Sequence, residues 1–240
     1  MRPFCAAGIK QNMIPFHSIE AIAIDLDGTL LDTINDLSGA ANRTLRALGL
    51  EEIPLEKLKT FVGKGKAMHV RRSLAAAMGR EATEAELSTA IAIYEREYFE
   101  HIDHSTRAYA GAREGVAAMR AKGYLTACVT NKARAFTLRL LEKQNFLDQF
   151  DFILGGDDLA RSKPDPLMLT HTAAHFNISA SQLLMIGDSG NDAHAARAAG
   201  CPMALMSYGY TEGETLASIP NDGIFNSIAE IAVQLELRRW

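Results

Sequence analysis

The apolar run Ala21-Ile22-Ala23-Ile24 stops at a carboxylate, Asp25, and the chain then carries a second, Asp27, followed at once by Gly28 and Thr29. A short apolar run closed by a breaker reads as a buried strand. Residues two apart at the end of an extended strand project to one side, so Asp25 and Asp27 are predicted to face one small volume. Carboxylates crowded in this way repel unless a cation or a shared proton intervenes. The pattern therefore suggests a metal-assisted site with one acid as nucleophile and the other as proton donor.

The pattern of short strands recurs downstream. Residues 124–129, 152–154, 183–186 and 203–206 read as strands, and 112–122, 133–144, 167–175, 192–199 and 227–237 as helices. Such alternation implies an α/β fold, a doubly wound (Rossmann-like) parallel sheet with helices on both faces. Residues 34–106 interrupt it. There, 55–61, 67–78 and 83–102 carry apolar residues at three- and four-residue spacing and no convincing strand is present, so this block is expected to be an inserted all-helical cap. The core would then comprise 19–33 and 107–240, and residues 1–18 would be a poorly ordered extension, with Met13 a candidate start. Asp32 or Thr33 is expected to cap a helix ending near Leu48 and Gly49, and Thr83 with Glu86 forms a possible capping box.

A chain of 240 residues can bury a full core. Its net charge of -4 and pI near 6.0 argue against a nucleic-acid partner. No apolar run approaches the ~18 residues of a membrane span, and the stretch 4–9 is too short for a secretory signal. Cys5, Cys128 and Cys201 are odd in number and far apart, which suits packing residues in a reducing cytoplasm. The expected partner is a small molecule, taken by a monomer or a homodimer.

Four polar features follow predicted strands, where open parallel sheets gather their ligands. They are Asp25/Asp27, Thr130-Asn131, Lys163-Pro164 and Gly187-Asp188-Ser189-Gly190-Asn191-Asp192. Each alone is common; their order and placement are specific. On these residues the chain resembles the haloacid dehalogenase superfamily, in the subgroup with a helical cap after the first motif, and is most similar to bacterial phosphoglycolate phosphatases. The likeness spans about residues 20–230 and includes DLDGTLLDT at 25–33, VTNK at 129–132, SKPDP at 162–166 and GDSGND at 187–192. Ala110 stands where a proline is usual before Gly111.

The resemblance implies a Mg²⁺-dependent phosphatase for a small phosphorylated metabolite, with 2-phosphoglycolate the leading substrate. Asp25 would form an aspartyl-phosphate, and Asp27 would protonate the leaving alkoxide and then activate water. Thr130, with backbone amides near Gly28 and Asn131, would hold phosphoryl oxygens, and Lys163 would neutralise charge and orient Asp25. Asp188 would complete the Mg²⁺ site with Asp25 and the Asp27 carbonyl. Asp192 is expected in an indirect or water-mediated metal role, or as a helix-start acid.

In the cap, residues 57–72 hold Lys57, Lys59, Lys64, Lys66, Arg71 and Arg72 and no acid. Lys64 and Arg72 are expected to bind an anionic substrate, while Lys57 and Lys59 serve equally as a solvated face. His69 and His101 fit ordinary surface positions. Two other readings share parts of this pattern. A sugar-phosphate mutase of the β-phosphoglucomutase type has the acid pair and a helical cap, and a phosphorylated signalling receiver uses clustered aspartates on a shorter doubly wound sheet. Dehalogenase chemistry is disfavoured because those relatives lack the second acid, here Asp27.

Overall fold

The computed structural model describes residues 14–238. Among them are strands β1 (Ala21–Ile24), β2 (Leu31–Asp32), β3 (Arg107–Ala108), β4 (Leu125–Val129), β5 (Phe152–Leu154), β6 (Leu183–Gly187), β7 (Met203–Met206) and β8 (Gly223–Phe225). The helices are α1 (Ile34–Ala47), α2 (Leu55–Lys59), α3 (Gly65–Met78), α4 (Glu84–His101), α5 (Ala112–Ala121), α6 (Arg134–Lys143), α7 (Leu167–His175), α8 (Gly190–Ala199) and α9 (Ile228–Gln234). Six strands form one parallel sheet in the order β5-β4-β1-β6-β7-β8. The doubly wound α/β core read from the alternation is thus present.

β1 lies inside the sheet, and all four of its residues are buried, which is why it reads as an unbroken apolar run. The two-residue alternation divides it between two cores. Ile22 and Ile24 join Val116 and Met119 of α5 and Ile228 and Ile231 of α9, whereas Ala21 and Ala23 join Met168 and Leu169 of α7 and Ala193 and Ala196 of α8. Small residues on the second face let α7 and α8 approach the sheet closely.

Helices α1 to α4 occupy the interrupting block. Leu87, Ala90, Tyr94 and Tyr98 form the buried stripe of α4 at helical spacing, and Tyr98 meets Phe136 of the core edge-on at 5.0 Å. The Thr83–Glu86 capping box is formed. The block leaves and rejoins the core through β2 and β3, an antiparallel two-residue pair. Asp36 in the first turn of α1 pins this junction by accepting from the Ser105 amide at 2.9 Å, the Thr106 amide at 2.9 Å and the Thr106 hydroxyl at 2.7 Å.

Several expectations change. Residues 14–18 are not a loose extension: Ile14 is buried in the core and Phe16 packs edge-on against Phe225 at 6.4 Å. The remainder of that segment, including Met13, lies outside the described residues. The Thr33 side chain does not cap α1; it donates to Asp27 instead. Asp32 accepts from the Ile34 amide at 3.4 Å, and the Tyr210 hydroxyl accepts from the Thr33 amide at 2.8 Å and the Ile34 amide at 3.0 Å while donating to Asp32 at 2.7 Å. β8 was not foreseen, because a half-exposed three-residue edge strand lacks a continuous apolar signal. Among the described residues no helix is long and apolar enough to cross a membrane.

Because Asp36 is buried, its removal strands the two amides it receives. Asp36→Ala should cost about 2–3 kcal/mol and lower the urea midpoint; a midpoint equal to that of the unaltered protein would contradict this role.

Candidate active site

The site forms where β1, β4 and β6 end and the chain turns. The Asp25 amide still donates to Ile186 of β6 at 3.0 Å, so the first acid is fixed by the sheet ladder itself. Beyond it the chain bends, and Gly28 adopts φ +90° with its amide given to the Leu31 carbonyl at 2.9 Å. Gly28 therefore shapes the site rather than offering its own N–H to a substrate. A Cβ there would lie 2.4 Å from Asp188 Oδ2, and one on Gly209 (φ +104°) 2.3 Å from the same atom. Both positions need glycine for conformation and for space.

Carboxylate oxygens of Asp25, Asp188 and Asp192 come within 4.8 Å of one another, with Asp188 and Asp192 buried and Asp25 partly so. Asp188 accepts from the Thr29 hydroxyl and from the Tyr210 amide at 2.6 Å. Asp192 lies in the first turn of α8, where one oxygen accepts from the Ser189 amide and hydroxyl and the other from Lys163 at 2.6 Å. Lys163 also donates to the Val129 carbonyl at 2.7 Å and stands 3.0 Å from Asp25 Oδ1, off hydrogen-bond alignment. Asp25 Oδ1 is thus a buried oxygen without a hydrogen-bond donor.

The charges do not balance. One ammonium serves three carboxylates. Burial pushes the Asp25 carboxyl up to about 6, opposed by Lys163 and reinforced by Asp192. Burial raises Asp188 well above its usual range, with Asp192 and Asp25 adding to the effect. Burial alone would depress Lys163, but Asp192 and Asp25 outweigh it and hold the ammonium charged. Three hard carboxylates sharing one ammonium leave an uncompensated negative charge that fits a small divalent cation such as Mg²⁺.

Asp27 faces the same cleft as Asp25, as the two-residue spacing predicts, but its side chain turns away from the carboxylate trio. It accepts from Lys132 at 2.8 and 3.0 Å and from Thr33 at 2.7 Å. Lys132 closes the VTNK motif, yet the sequence reading gave it no role; it is buried and lies 4.7 Å over the Tyr98 ring. Thr130 sits on the cleft wall with its hydroxyl accepting from the Lys132 amide at 3.2 Å. Asn131 donates to Lys163 O at 2.8 Å and across to Gly63 O of the helical block at 2.9 Å.

The cap side of the cleft comes from Leu37, Val62, Gly63, Gly65, Lys66, His69, Tyr94 and Tyr98, so one cation of the 57–72 run, Lys66, does reach it. His69 is not a surface residue: it is 4% exposed, and burial lowers its pKa to about 4, which keeps the imidazole neutral. The structure does not bring Lys64 and Arg72 onto the cleft lining. Both instead meet Glu212, Arg72 at 2.9 Å and Lys64 at 3.7 Å. Glu212, Tyr210 and Gly209 all belong to the loop after β7. No motif marks that loop, and its importance is visible only from its contacts.

The haloacid dehalogenase-like hydrolase family pattern matches residues 22–206. A phosphoglycolate phosphatase of Nitrosospira multiformis is 47% identical over 212 residues, covering 88% of this chain and 93% of its own. One from Thiobacillus denitrificans is 42% identical over 217 residues, covering 90% and 96%. A crystal structure of a predicted phosphoglycolate phosphatase from Haemophilus somnus superposes with a TM-score of 0.86 at 30% identity, covering 95% of this chain and 99% of that one. The receiver alternative falls with these full-length matches.

The carboxylate crowding has a pH signature. Asp25 and Asp188 hold folded-state pKa values above their unfolded ones, so the folded state binds more protons, and the Asp25 contribution to stability is lost as pH rises from about 4 through 6. In protein stripped of divalent cations, Asp25→Asn should therefore raise Tm at pH 8 and lose that advantage at pH 5. A Tm difference independent of pH would contradict the crowding.

Proposed function

The chain belongs to the haloacid dehalogenase-like hydrolases, and on that footing we propose that it is a phosphatase for small phosphate monoesters, with 2-phosphoglycolate as its substrate. The observation that carries the reading is Asp25, an oxygen nucleophile paired with the Lys163 ammonium at 3.0 Å and set beside Asp188 and Asp192 in a cleft it shares with Asp27. The full-length relatives named for phosphoglycolate support the substrate.

Asp25 attacks phosphorus, the P–O ester bond breaks, and the electron pair leaves with the alkoxide oxygen. Asp27 gives that oxygen its proton, then takes one from the water that attacks the aspartyl-phosphate, so one carboxyl serves both halves of the reaction. Lys132 and Thr33 hold Asp27 in place between the two steps. Lys163 orients Asp25 and balances charge on the phosphoryl oxygens, with Asp192 fixing the ammonium. The Thr130 hydroxyl, on the cleft wall, binds a phosphoryl oxygen.

Asp25, Asp188 and the backbone carbonyl of Asp27 are the groups to hold Mg²⁺, which when bound supplies the positive charge that lets a carboxylate approach an anionic phosphate. Asp192 differs from Asp188 in carrying the Lys163 ammonium on one oxygen, so it would act on that cation indirectly, by fixing Lys163. Cys128 and Cys201 are buried and unpaired, which suits a reducing compartment such as the cytoplasm.

Phosphate release from 2-phosphoglycolate should require Mg²⁺ and disappear with chelator. Protons compete for the raised carboxyls, so apparent Mg²⁺ affinity should weaken below pH about 6, by roughly tenfold per pH unit for one displaced proton. Asp25→Asn should lower kcat by a factor on the order of 10⁴. Full activity in that variant, or turnover in the presence of excess chelator, would remove the proposal.

A further inference from the structure

Glu212 is an acidic side chain that contacts α3 of the helical block and the catalytic loops together. It lies in the loop after β7 at φ +54°, with its side chain 12% exposed. Oε2 accepts from Arg72 of α3 at 2.9 Å and faces Lys64, at the start of α3, at 3.7 Å. Oε1 accepts from Asn191 in the first turn of α8 at 2.5 Å. Gly63 lies against this cluster: a Cβ there would sit 2.7 Å from Glu212 Oε1 and 3.0 Å from Asn191 Nδ2. Asn131 holds the Gly63 carbonyl from the other side.

We propose that Glu212 is a positioning residue that fastens the helical cap over the cleft, by pairing Arg72 and Lys64 with the loops that carry Asp188 and Asp192. The inference rests on the cleft being the catalytic site. Asn191 directly precedes Asp192, which holds Lys163. Two residues before Glu212, the Tyr210 amide donates to Asp188, and the Tyr210 hydroxyl satisfies the start of α1. The loop after β7 therefore bonds to the carboxylate cluster and to two cap helices. Opening the cap would remove both cations from Glu212 while leaving Asn191 in place. The pair is partly screened from solvent, since Arg72 is about as sheltered as a rim residue and Glu212 more so. Closure should therefore depend on ionic strength, though less steeply than a fully exposed pair would.

This assignment competes with the expectation that Lys64 and Arg72 receive the anionic substrate. The two make opposite predictions for one isosteric change. If Glu212 fastens the cap, Glu212→Gln weakens the closed state, and KM for 2-phosphoglycolate rises about tenfold with kcat within about threefold. If the cations serve the substrate, removing their competitor lowers KM. A fastening pair also gives a non-additive cycle, in which Glu212→Gln with Arg72→Gln costs no more than the larger single change. Amide hydrogen exchange in residues 61–66 reads closure without turnover and should speed up in Glu212→Gln. A fall in KM, additive single effects, or unchanged exchange would each overturn the proposal. An inactive parent protein whose exchange still responds to Glu212→Gln would sink the phosphatase reading and leave the fastening intact.

Discussion

A buried ammonium among carboxylates organises this protein. Lys163 draws together the loops that follow β1, β4 and β6 by reaching Asp25, the Val129 carbonyl and Asp192. Each group would be costly to bury alone, and together they offset much of that desolvation. Compensation is incomplete, because Asp188 joins the cluster without bringing a cation of its own. The remaining negative charge is what makes the site receptive to a divalent ion and to the chemistry of an anionic ester. The parallel sheet supplies the geometry, since its strand ends deliver these groups from segments more than a hundred residues apart.

The fold was legible wherever burial imposed a simple period. β1, β6 and β7 are buried along their whole length, so each appears as an apolar run with a sharp polar end. The α4 stripe and its capping box were equally visible. What escaped were elements whose signal is weak locally. β2 and β3 span two residues each and exist because Asp36 ties the chain crossing together. At the α1 start Asp32 does accept from the Ile34 amide, but Thr33 does not cap, and the shorter bonds go to the hydroxyl of Tyr210, which no local pattern could announce.

The site followed the same division. Asp25, Asp27, Thr130, Asp188 and Asp192 sit directly after strands or at a helix start, and strand-end position carried them, whereas Lys163 lies deeper in the loop between β5 and α7 and was carried by its order in the series. Lys132 closes the same short motif as Thr130, and its basic character next to a doubly acidic strand end was an available signal for an ion pair with Asp27. Charge in the cap was legible but its destination was not. A run of cations without acids suggested an anionic substrate, whereas Lys64 and Arg72 face an acid from a loop 140 residues beyond Arg72. A single-segment charge count cannot see a partner supplied by tertiary structure.

The central step is the transfer of one phosphoryl group from the ester oxygen to the Asp25 carboxylate. Mixing the Mg²⁺-loaded protein with 2-phosphoglycolate, quenching in acid within the first turnover and mapping peptides by mass spectrometry tests it directly. One added phosphoryl group on the peptide bearing Asp25, absent from Asp25→Asn, is the expected result. Steady turnover with that peptide unmodified at every quench time, or with the label on another residue, would contradict the account.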